Sequence, residues 1–188
     1  MPKRITNFTY KIENQAVESN FVFNIAKKYY DDVVDKEIVL AGITEDDHIL
    51  CIGGGICPFS AILFHQKTGA RVTVLDNNPI CIPKAEEVLK RLEIDANVEV
   101  IHKDGGDDDI CFAKYTVVHF ALQVCPMNHV FSQVEKKAAT GARLLVRLPK
   151  KCLEDMYSCL ARPTSTLPHI AHKNARNIGS TMLYIKRA

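Results

Sequence analysis

His48-Ile49-Leu50-Cys51-Ile52-Gly53-Gly54-Gly55-Ile56-Cys57-Pro58-Phe59-Ser60 runs from a short apolar segment through three glycines into the start of an amphipathic one. A strand that ends in a glycine turn and feeds a helix can cradle a nucleotide. Glycine lets the backbone turn tightly and approach a ligand closely, and the helix N-terminus offers unpaired N–H groups and the positive end of a dipole. Pro58 suits the first helical turn, where its missing N–H leaves no bond unmade. The next apolar run, Val72-Thr73-Val74-Leu75, ends at Asp76, 25 residues after Cys51. An acidic residue at the end of a second strand, at that distance, is placed to accept hydrogen bonds from ribose hydroxyls.

Outward from this pair the chain alternates strand and helix. Towards the N-terminus, residues 1–14 form a polar lead-in. Residues 15–30 carry Val17, Phe21, Ile25 and Tyr29 at helical spacing. A second helical segment bears Val33, Val34, Ile38 and Val39 and ends near Gly42 as a C-cap. Thr44 to Asp47 turn into the first strand, 48–52. A helix over 58–68, closed by Gly69, leads to a strand over 71–75. Asn77-Asn78-Pro79 is a turn before a helix over 82–92, with Pro83 in its first turn. Val98, Val100 and His102 mark a third strand, and Lys103 to Asp109 a loop. A fourth strand is expected from Tyr115 to Phe120, a helix from Asn128 to Ala138 and a fifth strand from Leu144 to Leu148. Residues 150–160 read as a helix, and 167–171 and 180–186 as two closing strands. This order predicts an α/β fold: a three-layer, Rossmann-like, doubly wound and mostly parallel sheet of about seven strands with an antiparallel end. The division expected is a helical lead-in over 1–44 and the ligand-binding α/β domain over 45–188.

The chain has 188 residues, 47% hydrophobic and 24% charged, with a net charge of +2. That is an ordinary globular balance, too neutral to argue for nucleic acid or a membrane surface. No apolar run reaches the ~18 residues of a membrane span, and the N-terminus lacks the apolar core of a signal peptide. A cytoplasmic protein is therefore expected. Its seven cysteines then read as free thiols, and none stands in Cys-x-x-Cys spacing. Cys51 reads as a small buried hydrophobe.

In an open α/β sheet, ligands bind at the carboxyl ends of the strands. That rule gathers Gly53, Gly54 and Gly55 from the first strand, Asp76 and Asn77 from the second, Asp104 and Gly105 from the third, and Ala121 from the fourth. Asp76 would hold the ribose, and Asp104 could accept from an adenine amino group. A phosphate-binding Gly-x-x-x-x-Gly-Lys-Ser/Thr is absent. Pro58 stands where a dinucleotide fingerprint has its third glycine, which argues against NAD.

These residues resemble a class I S-adenosylmethionine-dependent methyltransferase over about residues 45–186. The resemblance implies S-adenosylmethionine as cofactor. It departs from the common pattern at Cys51, where an acidic residue often opens the glycine loop, and at Cys57, the third glycine position. The first departure removes a contact to the cofactor's amino group. Ile52 to Ser60 further resembles the glycine-rich, proline-containing loop of nicotianamine synthases and their archaeal relatives. Val72 to Pro79, Val118 to Leu122 and Gly141-Ala142-Arg143 fit the same comparison, and Tyr30 and Glu37 keep that family's spacing. Those enzymes transfer the aminopropyl arm of S-adenosylmethionine to an amine. The resemblance places Tyr30 at the substrate site, as the one candidate catalytic residue. Those proteins also carry a helical N-terminal domain, whereas only about 45 residues, the size of two helices, precede the first strand here.

The expected activity is a group transfer from S-adenosylmethionine to a small-molecule acceptor, methyl transfer first and aminopropyl transfer second. A non-catalytic S-adenosylmethionine-binding module is the rival. The sulfonium is intrinsically electrophilic, so alignment of the acceptor suffices and no dedicated acid–base pair is called for. His102, His119 and His129 with Cys57 and Cys125 are too scattered to predict a metal site, though spacing alone leaves one open. His169 and His172 read as strand or loop histidines. The segment Ala121 to Pro126 lacks the Asn/Asp-Pro-Pro-aromatic motif that grips a planar amino group. A homodimer would close the cleft, with the short N-terminal helices packed on the partner chain.

Overall fold

The computed structural model describes residues 19–161 and 167–188. The lead-in over 1–14 and residues 15–18 of the first expected helical segment, Val17 among them, lie outside them. The elements in chain order are α1 (Asn20–Ala41), β1 (His48–Ile52), α2 (Phe59–Thr68), β2 (Arg71–Asp76), α3 (Cys81–Arg91), β3 (Val98–His102), β4 (Val117–Phe120), α4 (Met127–Lys137), β5 (Arg143–Pro149), β6 (His169–Ala171) and β7 (Ile178–Ile185). The strands form one sheet in the order β3-β2-β1-β4-β5-β7-β6. β7 runs antiparallel to both of its neighbours and the other pairings are parallel. The three-layer, mostly parallel sheet with an antiparallel end is as the sequence predicts.

Along β1 the side chains alternate between two cores. Ile49 and Cys51 join Val34, Phe64, Val88 and Leu145 on the face covered by α1, α2 and α3. Leu50 and Ile52 join Phe120, Phe131, Val134 and Leu144 on the face covered by α4. A parallel strand buried on both sides therefore reads as a continuous apolar run. Each such fully buried aliphatic or aromatic side chain contributes about 1.5–3 kcal/mol.

Two expectations are corrected. The two helical segments before the sheet are one 22-residue helix, α1. No glycine or proline interrupts it, and the acids at its middle are satisfied outside: Lys67 pairs with Asp31 (2.9 Å) and Asp35 (2.8 Å), and Lys36 with Asp32 (2.6 Å). Ser19 caps its N-terminus, accepting from the Val22 N–H (3.4 Å), and Gly42, at φ 60°, ends it. The helix expected over 150–160 is instead a single 3₁₀ segment, Lys151–Met156. None of its side chains is buried, so no apolar stripe holds a longer helix against the sheet.

The amino ends of the central strands are latched to α1. Arg143 donates from Nη1 to the carbonyls of Ala41 (2.8 Å) and Gly42 (2.9 Å), satisfying acceptors that a helix terminus leaves open. Its Nη2 pairs with Asp47, which also accepts from the Thr116 hydroxyl (2.6 Å) and the Thr44 N–H (2.9 Å). The carboxyl ends of the strands, on the opposite edge, are left to form the site.

Candidate active site

At the carboxyl end of β1 the chain turns back under β2. Gly53 and Gly55 take left-handed φ values of 87° and 66°. Gly54 is required for space: a Cβ there would lie 2.2 Å from Cγ1 of Val74. Asp76 pins the turn, accepting the Gly55 N–H on Oδ2 (2.7 Å) and the Asn78 N–H on Oδ1 (2.9 Å). Its carboxylate is thus both a turn residue and a wall of the site. Asp104 repeats the arrangement one strand over, accepting from Nδ2 of Asn77 (2.8 Å) and the N–H of Gly106 (2.8 Å). A carboxylate oxygen has lone pairs left after one such bond, so both acids can still accept from a ligand.

These groups open on a cavity of about 630 Å³, within the size range of small-molecule sites. Gly53, Gly54, Gly55, Asp76, Asn77, Asp104, Gly105, Ala121 and Tyr30 all line it. Gly105 admits no side chain, since its Cβ would come 2.6 Å from Cγ2 of Ile52. The acids of the lining, Asp76 and Asp104, lie in one half, at the β2 and β3 ends.

The other half is built by α1, α2, β4, β5 and the approach to β7. Tyr30 stacks on Phe59, ring centroids 5.6 Å apart, and sits edge-on to Tyr29 at 5.0 Å. The Tyr29 hydroxyl accepts from the backbone N–H groups of Arg176 (2.9 Å) and Asn177 (3.3 Å), tying the segment before β7 to α1. Beneath Tyr30 lies the guanidinium of Arg147, 5.6 Å from the ring centroid. Arg147 is buried and bidentate with Glu37, Nε to Oε1 at 2.8 Å and Nη2 to Oε2 at 2.7 Å, and donates from Nη1 to Oγ of Ser60 (2.9 Å). The Thr181 hydroxyl donates to Oε1 of Glu37 (2.6 Å), and Nε2 of His172 lies 2.8 Å from Thr181 Oγ1. His119 of β4 lies on the same face, with Nε2 3.7 Å from Oε2 of Glu37 and its ring edge-on to Phe64.

Burial alone would push the Glu37 carboxyl up, but the Arg147 guanidinium outweighs it, and Glu37 stays ionised far below the usual carboxylate range. Burial lowers the proton affinity of His119, Arg147 lowers it further, and Glu37 only partly offsets them. His172 is likewise lowered by burial. Both rings are neutral at pH 7, and the floor carries one matched pair of charges. The thiol of Cys51 is pushed up to about 12 by burial, in keeping with a small hydrophobe.

Arg147, Ser60, Thr181 and His172 escaped the sequence reading. A signal for Arg147 was present: a lone arginine within Leu144-Leu145-Val146-Arg147-Leu148, a run that must be buried, demands a buried acid. Cys57 is buried and Cys125 exposed, and among the described residues no group of three His, Cys, Asp or Glu side chains is placed to hold a metal ion.

No protein-family model matches the chain, and no curated protein matches it. Solved structures do. MtNAS, a nicotianamine synthase, solved as a glutamate-to-glutamine mutant in complex with S-adenosylmethionine, superposes with a TM-score of 0.80 at 20% identity, over 99% of this chain and 76% of its own. An RNA methyltransferase from Salinibacter ruber, in complex with S-adenosyl-L-homocysteine, gives a TM-score of 0.61 at 16% identity, over 83% of this chain and 91% of its own. Coclaurine N-methyltransferase, bound to N-methylheliamine and SAH, gives 0.55 at 18% identity, over 63% and 35%. The likeness is one of architecture, and the chain has the class I methyltransferase fold.

Proposed function

We propose that this chain is an S-adenosylmethionine-dependent transferase acting on a small-molecule acceptor. The observation that carries the reading is the nucleoside half of the cavity, where two carboxylates and a glycine turn with no room for side chains converge on one wall. Asp76 would accept from the ribose hydroxyls, Asp104 from the adenine amino group, and Gly53 to Gly55 would let the backbone lie against the sugar. Asn77, Gly105 and Ala121 would line the base and ribose. When bound, S-adenosylmethionine supplies an electrophilic carbon on sulfonium. The chain's own residues then have to align the acceptor and exclude water. Tyr30 would do so as a rigid wall of the acceptor half, packed on Phe59 and on the guanidinium of Arg147.

Methyl transfer is the first reading, on the prior of the fold alone. Aminopropyl transfer is the second reading, and one observation favours it. The MtNAS likeness extends over 99% of this chain, so it takes in the helix that bears Tyr30, whereas the methyltransferase likenesses reach 63–83%. Titration calorimetry with S-adenosylmethionine tests the shared premise, and absence of binding would reject it. Incubation with S-adenosylmethionine and a series of amines and thiols, with the nucleoside product identified, separates the rest. S-adenosylhomocysteine reports methyl transfer and methylthioadenosine aminopropyl transfer. Binding with neither product points to a module that binds without turnover.

A further inference from the structure

His119 is 1% exposed, lines the cavity, and has no hydrogen-bond partner among the described residues for either ring nitrogen. A buried polar atom left unmade costs about 1–3 kcal/mol, so such atoms concentrate where a ligand or reaction uses them. Its surroundings favour a proton on Nε2, the nitrogen that faces the carboxylate. Glu37 is ionised and can only accept, so the Thr181 hydroxyl, 2.6 Å away, donates to it, and the Thr181 oxygen in turn accepts from Nε2–H of His172. By the same logic Nε2 of His119, 3.7 Å from Oε2 of Glu37, carries its proton towards the carboxylate. Nδ1 is left with a lone pair. A carboxylate behind an imidazole, with the far nitrogen unprotonated, is the arrangement that makes histidine a general base, and its bonds often tighten only around substrate.

We propose that His119 is the general base of the acceptor half, with Nδ1 as the proton acceptor and Glu37 as the positioning residue behind it. This rests on the transferase reading above. The acceptor's N–H or O–H atom forms its bond to the sulfonium-bound carbon, and the carbon–sulfur bond breaks with its electron pair left on sulfur. The displaced proton passes to Nδ1. The imidazolium so formed faces Glu37, and the proton leaves to solvent with the product. The groups that face the ring are Glu37 from α1, Arg147 from β5 and the Cys51 thiol from β1, with His172 one step behind through Thr181. Arg147 keeps Glu37 from taking the proton itself.

The test reads the ring directly, in full-length wild-type protein labelled with nitrogen-15 in histidine. The His119 signals are assigned by their loss in His119→Gln, or through ring contacts to Phe64 if that variant does not fold. At pH 7 Nε2 is expected protonated and Nδ1 unprotonated, and saturation with S-adenosylmethionine should move the Nδ1 signal while His169 stays still. The opposite tautomer, or a ring that ignores saturating S-adenosylmethionine, would overturn the assignment and leave the transferase reading intact. Failure of the wild type to bind S-adenosylmethionine overturns both. His119→Gln should keep its affinity for S-adenosylmethionine within about threefold and lose roughly 100-fold or more in turnover, together with the acid limb of the pH–rate profile. Turnover at the wild-type rate with an unchanged profile would also overturn it.

Discussion

Glu37 and Arg147, 110 positions apart in the chain, meet in a bidentate pair closed to solvent, and the pair joins the helix before the sheet to its fifth strand beneath the cavity. Desolvating two charges is costly, and their mutual attraction repays it only when the hydrogen bonds are complete. Here Ser60 and Thr181 take the remaining contacts. We predict that Glu37→Ala, which strands the arginine, lowers stability by about 3–5 kcal/mol in urea unfolding. Joint replacement by Glu37→Leu and Arg147→Met should cost clearly less than the single change. Equal losses would mean that the pair is not the unit that stabilises the floor.

Acid should weaken the fold well above the carboxylate range. His119 and His172 are held neutral by burial, below their ordinary value of 6.5, while the unfolded chain takes up protons there. The unfolded state then binds more protons, so stability falls as pH drops through 6.5, by up to about 1.4 kcal/mol per pH unit for His119. Glu37 works in the other window. Its depressed carboxyl stabilises above the ordinary 4.5, and that contribution is lost only as pH falls far below it. Urea midpoints compared at about pH 7 and pH 5 should show the loss, and His119→Gln should reduce it and leave the share of His172. A flat wild-type profile over this interval would contradict the burial of neutral histidines.

Gly54 should accept no side chain unless Val74 retreats. Gly54→Ala places a methyl 2.2 Å from Cγ1 of Val74 and should cost about 1–3 kcal/mol through overpacking. Val74→Ala removes the obstructing atom, so the double variant should be less destabilised than the two single changes summed. A double-mutant cycle by thermal unfolding checks the coupling, and simple additivity would count against the close approach.

Asp76→Ala should weaken S-adenosylmethionine binding by about 1–3 kcal/mol in calorimetry. It should also lower stability by about 1 kcal/mol, because the Gly55 and Asn78 N–H groups lose their acceptor. Unchanged affinity would remove Asp76 from the cofactor site.

The half that holds Asp76 and Asp104 was legible in the sequence because it is built from neighbours. Gly53 to Gly55, Asp76 and Asp104 each sit at the end of a buried apolar run, and periodicity alone locates those ends. The mostly parallel sheet followed from the alternation of strands and helices. The break expected inside α1 was wrong because spacing alone does not show that the acids between the two apolar sets lie on an outer face, where Lys67 of α2 holds Asp31 and Asp35 and Lys36, one turn on, holds Asp32. The other half was legible only through the family resemblance, which singled out Tyr30 and Glu37. Ser60, His119 and Arg147 come from three further elements, and no local pattern records that Glu37 and Thr181, 144 positions apart, share a hydrogen bond. His172 read as a strand or loop residue and does lie in the loop after β6, but its contact with Thr181 was hidden for the same reason.

The span of that floor also sets an order of assembly. The wall of Gly53–Gly55, Asp76 and Asp104 closes from adjacent strand–helix units between His48 and Gly105, whereas the Glu37–Arg147–Thr181 cluster must wait until β5 and β7 have reached the sheet and α1 has folded back over them. Contacts of such separation form late, because the loop-closure entropy has to be met first. Changes at Glu37 should therefore speed unfolding and leave the folding rate nearly untouched, while changes at Ile49 or Val74 should slow folding. The chain would acquire a place for a nucleoside before it acquires a place for anything to react with it.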